Sequence, residues 1–261
     1  MEFALYMLLG AAAGVLAGLF GVGGGLIIVP VLVFSFSTQG FAPDILTHLA
    51  VGTSLATIVF TSINSIREHH RRGAVQWDMF RWLTPGILAG AAVGGVTAAL
   101  INGPLLQKII GVFAICMAIQ LALNLTTKAA RPHPKRPDLI AAGGVIGWAS
   151  AIFGIGGGSL TVPFLVWRSV PIQKAVATSA ACGFPIALAG AVVFMVTGWH
   201  EPQLPELSFG FVYLPALLGI ALTSVFFARF GAKLAHKLSP VLLKRLFALL
   251  LTVVGLSFLL N

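Results

Sequence analysis

Two short glycine-rich runs hold the residues most able to do chemistry in this sequence. Phe20 to Pro30 reads FGVGGGLIIVP, and Phe153 to Pro163 reads FGIGGGSLTVP. Each glycine disfavours a helix by about 1 kcal/mol relative to alanine, so three in succession predict a break. A break within apolar sequence must be buried in protein or line a cavity, and its turn exposes backbone N–H groups. A helix beginning just after it, near Leu26 or Ser159, adds the positive end of its dipole. Turns of this kind hold anions without a cationic side chain. The candidate donors are the amides of Gly23, Gly24 and Gly25 in the first run, and of Gly156, Gly157 and Gly158 in the second. The competing reading is close helix packing through small residues, which also fits Gly10, Gly14 and Gly18 at spacing four. Ser159 and Thr161 make the second run more polar than Leu26 and Ile28 make the first, so an asymmetric site would lean on the second.

A second motif follows each run. AVGTSLA spans Ala50 to Ala56 and AVATSAA spans Ala175 to Ala181. The hydroxyls of Thr53, Ser54, Thr178 and Ser179 can donate to the same anion or bond back to their own helix carbonyls; both readings stay open. Other chemistry is thinly represented. No Asp, Glu, Lys or Arg lies deep in an apolar stretch, and Lys108 sits near the end of one, so carboxylate proton relays are not expected. His48 and His200 fall near predicted outer ends, and His69, His70, His133 and His236 near inner ones, where histidine reads as an interfacial residue. Cys116 and Cys182 make no zinc or disulfide pattern and read as packing residues. No catalytic residue, metal site or cofactor is expected, and the chain is not expected to be an enzyme.

The elements that position these motifs follow from composition. Of 261 residues 58% are hydrophobic and only 9% charged, against about 25% charged in soluble domains. Uncharged runs such as Leu83 to Gln107 and Ala175 to His200 reach the roughly 20 residues that cross a bilayer core. An all-α integral membrane protein is predicted. The first segment follows Met1-Glu2 without a basic n-region and runs on into apolar sequence, so it is expected to stay rather than be cleaved. The net charge of +9 lies in short loops between apolar runs, the pattern that sets membrane orientation rather than a nucleic-acid surface.

The chain is written twice. Besides the two pairs above, PLLQK at Pro104 to Lys108 matches PVLLK at Pro240 to Lys244. Three matches in one order indicate a duplicated unit. The first repeat is placed at residues 1–125 and the second at 139–261, joined by a basic, proline-rich linker at 126–138. Each repeat has an apolar segment, a glycine break, a short apolar piece and three longer spans. The spans are expected near 45–66, 82–101 and 104–125, and near 174–198, 208–230 and 240–260. The short piece Leu26 to Phe36 covers only about 16 Å as a helix, half a membrane.

Charge decides between two topologies. If each break lay within one continuous crossing, the 16 Lys and Arg residues would divide eight against eight. If each break is instead the tip of a re-entrant hairpin, all but Lys108 fall on one side, as the positive-inside bias requires. That arrangement leaves three crossings per repeat, inverts the second repeat relative to the first, places both termini outside and makes the linker cytoplasmic.

A doubled FGxGGGxxxxP with a TS pair after each copy, in an eight-segment chain of this length, resembles the TauE/SafE family of sulfite-exporter-like permeases. The resemblance covers nearly the whole chain. It implies a bacterial or archaeal inner-membrane carrier for sulfite, sulfoacetate or another sulfonate. It also implies that Gly21, Gly23, Gly24 and Gly25, with Gly154, Gly156, Gly157 and Gly158, are motif positions. The expected function is secondary transport of a small anion by alternating access. The competing classes are an anion channel, separable by ohmic conductance against saturation and counterflow, and a membrane enzyme of sulfur metabolism, which would need a nucleophile or acid–base pair at membrane depth.

Overall fold

The computed structural model describes residues 2–20, 24–123, 134–235 and 240–260. The chain runs through α1 (Glu2–Phe20), α2 (Gly25–Thr38), α3 (Pro43–Arg71), α4 (Trp77–Ala99) and α5 (Gly103–Ala122). It continues through α6 (Arg136–Phe153), α7 (Gly158–Trp167) and α8 (Ile172–Thr197). A short hairpin of β1 (Ser208–Phe209) and β2 (Val212–Tyr213) precedes α9 (Leu214–Ala235) and α10 (Pro240–Leu260). The helical architecture matches expectation. Among the described residues, α3, α4, α5 and α8 are long and apolar enough to cross a bilayer.

Local sequence sets many of the boundaries. Proline stands at the start of α3, α5 and α6, where its missing N–H is not needed and its φ is already helical. The Asn102 side chain caps α5 by accepting the Leu105 N–H at 2.9 Å. Several boundaries differ from the sequence reading; α3 runs on to Arg71 and α4 starts at Trp77. The segment expected as one span near 208–230 opens with the β1–β2 hairpin, and the helix starts at Leu214; the turn is made by Gly210 at φ 53°. The linker gives way to α6 at Arg136, so Arg136 and Asp138 lie in its first turn. Linker residues 126–133 lie outside the described residues.

The two repeats do not pack as separate bodies. The first helix of each lies on the fourth helix of the other: α1 on α9, and α6 on α4. Both pairs are parallel. Along α1 the sites of Gly10 and Gly14 meet Ile220 and Ser224 of α9, while Gly219 meets Tyr6. Along α6 the sites of Gly143 and Gly147 meet Leu83 and Ile87 of α4. Lipid offers no hydrophobic drive between helices, so close backbone approach at small residues supplies the attraction. The equivalent helices α3 and α8 also pair, and antiparallel: Gly52 faces Phe194 and Gly190 faces Leu55. The pair α5 and α10 behaves likewise through Gly111 and Gly255. Helix α3 is the most enclosed, buried without interruption from Ile45 to Ile58. The outward faces carry exposed apolar side chains such as Val93, Val112, Val145, Val192, Phe226 and Val253, the surface that lipid would cover.

The Tyr6 hydroxyl near the start of α1 donates to Gln39 just past the end of α2, at 2.9 Å. Asp138 at the start of α6 pairs with Arg168 just past the end of α7. In both repeats the entry and the exit of the broken pair thus lie together.

Candidate functional site

The two glycine breaks touch each other. A Cβ on Gly25, the first residue of α2, would lie 2.7 Å from the Gly154 carbonyl oxygen and 2.7 Å from the Ile155 Cα. A Cβ on Gly154 would lie 2.7 Å from Val29 Cγ2. Gly154 ends α6 in the left-handed conformation, φ 64° and ψ 30°, a C-terminal position that glycine fills without Cβ strain. Its carbonyl accepts the Ser54 hydroxyl at 2.9 Å. The N-terminus of α2 therefore abuts the turn that joins α6 to α7, with Gly24, Gly25, Gly154, Gly156 and Gly157 all buried. Gly21 and Gly23 lie outside the described residues.

The equivalent turn glycines differ in conformation. Gly24 has φ 77°, whereas Gly157 has φ −61°. A side chain at Gly24 is opposed by backbone strain. At Gly157 the obstacle is space: a Cβ would lie 2.7 Å from the Ser179 carbonyl oxygen and 3.3 Å from both the Gly183 N and the Thr161 Oγ1. The second run takes its left-handed turn at Gly154 instead.

The TS pairs are tied to the partner repeat. The Tyr213 N–H, at the last residue before α9, donates to Thr53 Oγ1 at 2.9 Å. The Gln76 N–H, at the last residue before α4, donates to Thr178 Oγ1 at 3.0 Å. Each threonine thus accepts a backbone proton that the following helix leaves unpaired at its N-terminus. Neither bond is a back-bond to the threonine's own helix. Thr178 and Ser179 are buried like Thr53 and Ser54; of the four hydroxyls that of Ser54 meets a break, at the Gly154 carbonyl. Thr53→Val and Thr178→Val are each expected to lower stability by about 1–3 kcal/mol, since a buried N–H is left without an acceptor. Thermal unfolding in detergent measures this, and an unchanged Tm for both would remove the cross-repeat role.

Three hydroxyls near the second break behave differently. Ser150, Ser159 and Thr161 are buried, and none of their side-chain oxygens has a hydrogen-bond partner among the described residues. Elsewhere the threonine hydroxyls of Thr57, Thr84, Thr97, Thr197 and Thr252 donate to the carbonyl four residues back.

Other candidates fall elsewhere. His48 is not interfacial but buried, its ring nitrogens 3.0 Å from the Ala98 and Ile101 carbonyls and 3.2 Å from that of Asp44. It stacks on Phe211 and borders a cavity of about 310 Å³ shared with Asp44 and Glu201. Sequence alone could not show this burial, because the ring is enclosed by the α4–α5 turn and the β1–β2 hairpin. Arg168, expected in a loop, has a side chain only 11% exposed and held by Asp138. Cys182 is buried, but Cys116 lies exposed on the outer flank of α5, so only the first of the two packs inside the protein.

A family profile described as sulfite exporter TauE/SafE matches residues 6–258. The chain belongs to the TauE/SafE family. A probable membrane transporter protein of Haemophilus influenzae is 40% identical over 258 residues, covering 98% of both chains. One from Methanocaldococcus jannaschii is 31% identical over 260 residues, covering 98% of this chain and 95% of the relative. A probable membrane transporter protein of Bacillus subtilis, YunE, is 29% identical over 218 residues, 76% of this chain and 80% of its own. No solved structure matches the chain. With four candidate spans, this TauE/SafE member is a multi-pass membrane protein.

Proposed function

We propose that the protein is a secondary transporter that carries a small sulfur-containing anion, sulfite, sulfoacetate or another organosulfonate, by alternating access around the paired breaks. The observation that carries this reading is the buried contact between the α2 N-terminus and the glycine turn that leads into α7, with orphan hydroxyls on the side of the second break. Helix ends offer about half a unit of positive charge each, which suits a monoanion. A dianion would lose more hydration than partial charges restore. The family description and the transporter names of relatives support the same class, and relatives in a bacterium and an archaeon fit a prokaryotic cytoplasmic membrane.

Alternating access needs two halves that can rock about a shared site. The joined ends of each broken pair, Tyr6 with Gln39 and Asp138 with Arg168, support re-entrant hairpins. The antiparallel pairing of equivalent helices α3 with α8 and α5 with α10 supports inverted repeats. In this reading α3 and α8 move against each other and open the buried breaks to one side at a time. The basic loops lie inside and both termini outside. Impermeant labelling of a cysteine placed at Asn261 in whole cells, without labelling of one in the linker, is the expected orientation; the reverse pattern would refute it.

Calorimetric binding in detergent tests the substrate class. Sulfite or a sulfonate is expected to bind better than sulfate at matched ionic strength. A preference for sulfate over every monoanion would remove the charge argument. Binding of a metal cation with no response to any sulfur anion would remove the anion-carrier reading itself. Ohmic conductance without saturation or counterflow would make the protein a channel.

A further inference from the structure

The duplication gives the α4–α6 pair a counterpart in α9 and α1. Gln76 and Tyr213, whose amides donate to the equivalent threonines, set the register of the later helices. Arg81 and Trp82 of α4 then correspond to Leu218 and Gly219 of α9. Phe153 and Phe20, which end α6 and α1, set the other register, and Lys135 and Arg136 correspond to Glu2 and Phe3. The two helix pairs are built alike, but only α4 with α6 carries a tryptophan and a set of cations at its N-terminal end. Packing of the seam therefore does not require them. In the structure they come together. The Arg81 guanidinium lies 5.8 Å from the centre of a Trp82 ring, and that of Arg136 lies 4.8 Å from the Trp82 side chain on the same measure. Two cations from different helices thus share one indole, within cation–π reach. Both arginines and Lys135 are exposed. Arg81 also pairs with Asp78, whose side chain is 93% exposed, and a pair in water is weakly held. Arg168, a further cation at this end, is already neutralised by Asp138.

A groove of about 560 Å³ runs along the same helix, lined by Trp77, Arg81, Thr84, Pro85 and Leu88 among others. Trp77 and Leu88 are exposed, on a helix long and apolar enough to cross a bilayer. Pro85 has no N–H to offer the Arg81 carbonyl four residues back, so an acceptor lies beside the groove. We propose that this groove binds one anionic phospholipid. Arg81 and Arg136 hold its phosphate, a head-group hydroxyl donates to the Arg81 carbonyl, and an acyl chain lies over Thr84, Pro85 and Leu88. Charge decides the occupant: Arg81, Arg136 and Lys135 outnumber Asp78, and cations at the end of a span attract anionic head groups. Tryptophan at that depth belongs to the interface. The apolar length of the groove calls for a ligand with a chain, which inorganic phosphate lacks. Because Arg81 and Arg136 come from α4 and α6, the lipid clamps the two repeats together at this seam. This lipid site is independent of what the protein transports.

The test uses the purified full chain in detergent, titrated with dioleoyl phosphatidylglycerol or with the zwitterionic dioleoyl phosphatidylcholine. Native mass spectrometry counts retained lipid, and thermal unfolding follows its effect on the fold. Phosphatidylglycerol is expected to remain as one bound copy and to raise Tm by several degrees, because a ligand of the folded state stabilises it. Phosphatidylcholine, with the same chains, should do neither. Soluble glycerol phosphate should leave Tm unchanged, since it has no chain for the groove. Arg81→Ala and Arg136→Ala are each expected to weaken phosphatidylglycerol binding roughly tenfold, the scale of a lost bond to a charged group. Asp78→Asn removes the competing carboxylate and should tighten it severalfold; a purely structural role for the Asp78–Arg81 pair would show no such gain. Arg245→Ala, at an exposed cation of α10, should bind the lipid like wild type. Equal retention of the two lipids would overturn the site. So would unchanged phosphatidylglycerol affinity in the Arg81→Ala, Arg136→Ala double variant, or an equal loss in Arg245→Ala.

Discussion

Gly157→Val is expected to abolish transport, by about a hundredfold or more, while membrane-inserted protein is still recovered. The backbone at Gly157 is compatible with valine, since its φ is −61°, so the turn itself still forms. The new side chain has nowhere to go. Its Cβ would start 2.7 Å from the Ser179 carbonyl oxygen, and its methyl groups would be driven toward Thr161 or the Gly183 backbone. Helix α8 must then move off the α7 N-terminus by a fraction of an ångström to an ångström. Misplacement by about 1 Å is enough to cost about a hundredfold where function depends on positioned donors. Gly24→Val should be equally inactive but less stable, because strain at φ 77° adds to the crowding against Ile28. Flux of labelled sulfite or sulfonate into proteoliposomes, normalised to inserted protein, is the measurement. Full flux in both variants would reduce the breaks to packing elements.

Gly90→Leu is expected to leave no monodisperse folded protein at all. Its Cβ would overlap the Gly144 carbonyl of α6, and the flanking Gly86 and Gly94 meet Ile140 and Trp148 in the same way. No rotamer avoids a clash that begins at Cβ against backbone. Ordinary overpacking costs about 1–3 kcal/mol; separating two helices along a whole seam exceeds that. Because α4 and α6 come from different repeats, their separation also opens one of the main contacts between the repeats. The control is Gly73→Ala, where nothing lies within 4 Å and only the φ of 63° resists the change. It should cost about 1 kcal/mol and leave a sharp size-exclusion peak. A well-folded, active Gly90→Leu protein would contradict the α4–α6 seam as a contact the fold requires.

Much of the architecture is legible in the residues. Low charge and long apolar runs specify helices in lipid, since unpaired backbone groups are intolerable there. The glycine triplets specify breaks, and the charge distribution points to hairpins at both. Those are local properties or sums along the chain, which a linear reading captures. The role of the glycines at spacing four is also visible: Gly10 and Gly14 do pack against a helix, although their partner, α9, lies in the other repeat.

The site was less legible. The sequence left Thr53, Ser54 and Thr178 open between two roles, ligand and back-bond, and the structure engages them with Tyr213, Gly154 and Gln76, each 100 residues or more away. No pattern near a threonine announces an acceptor role for a distant N–H. The burial of His48 has the same origin, for its ring is enclosed by segments remote in sequence. Composition, repeats and charge bias thus determine by themselves that the chain is a duplicated helical membrane protein with two breaks, because helix formation and membrane insertion depend on local polarity. Only the tertiary structure decides that the repeats exchange their first helices, that the breaks touch, and which hydroxyls remain unpaired. Those outcomes depend on which backbones approach within van der Waals distance, and that is settled by packing between distant segments.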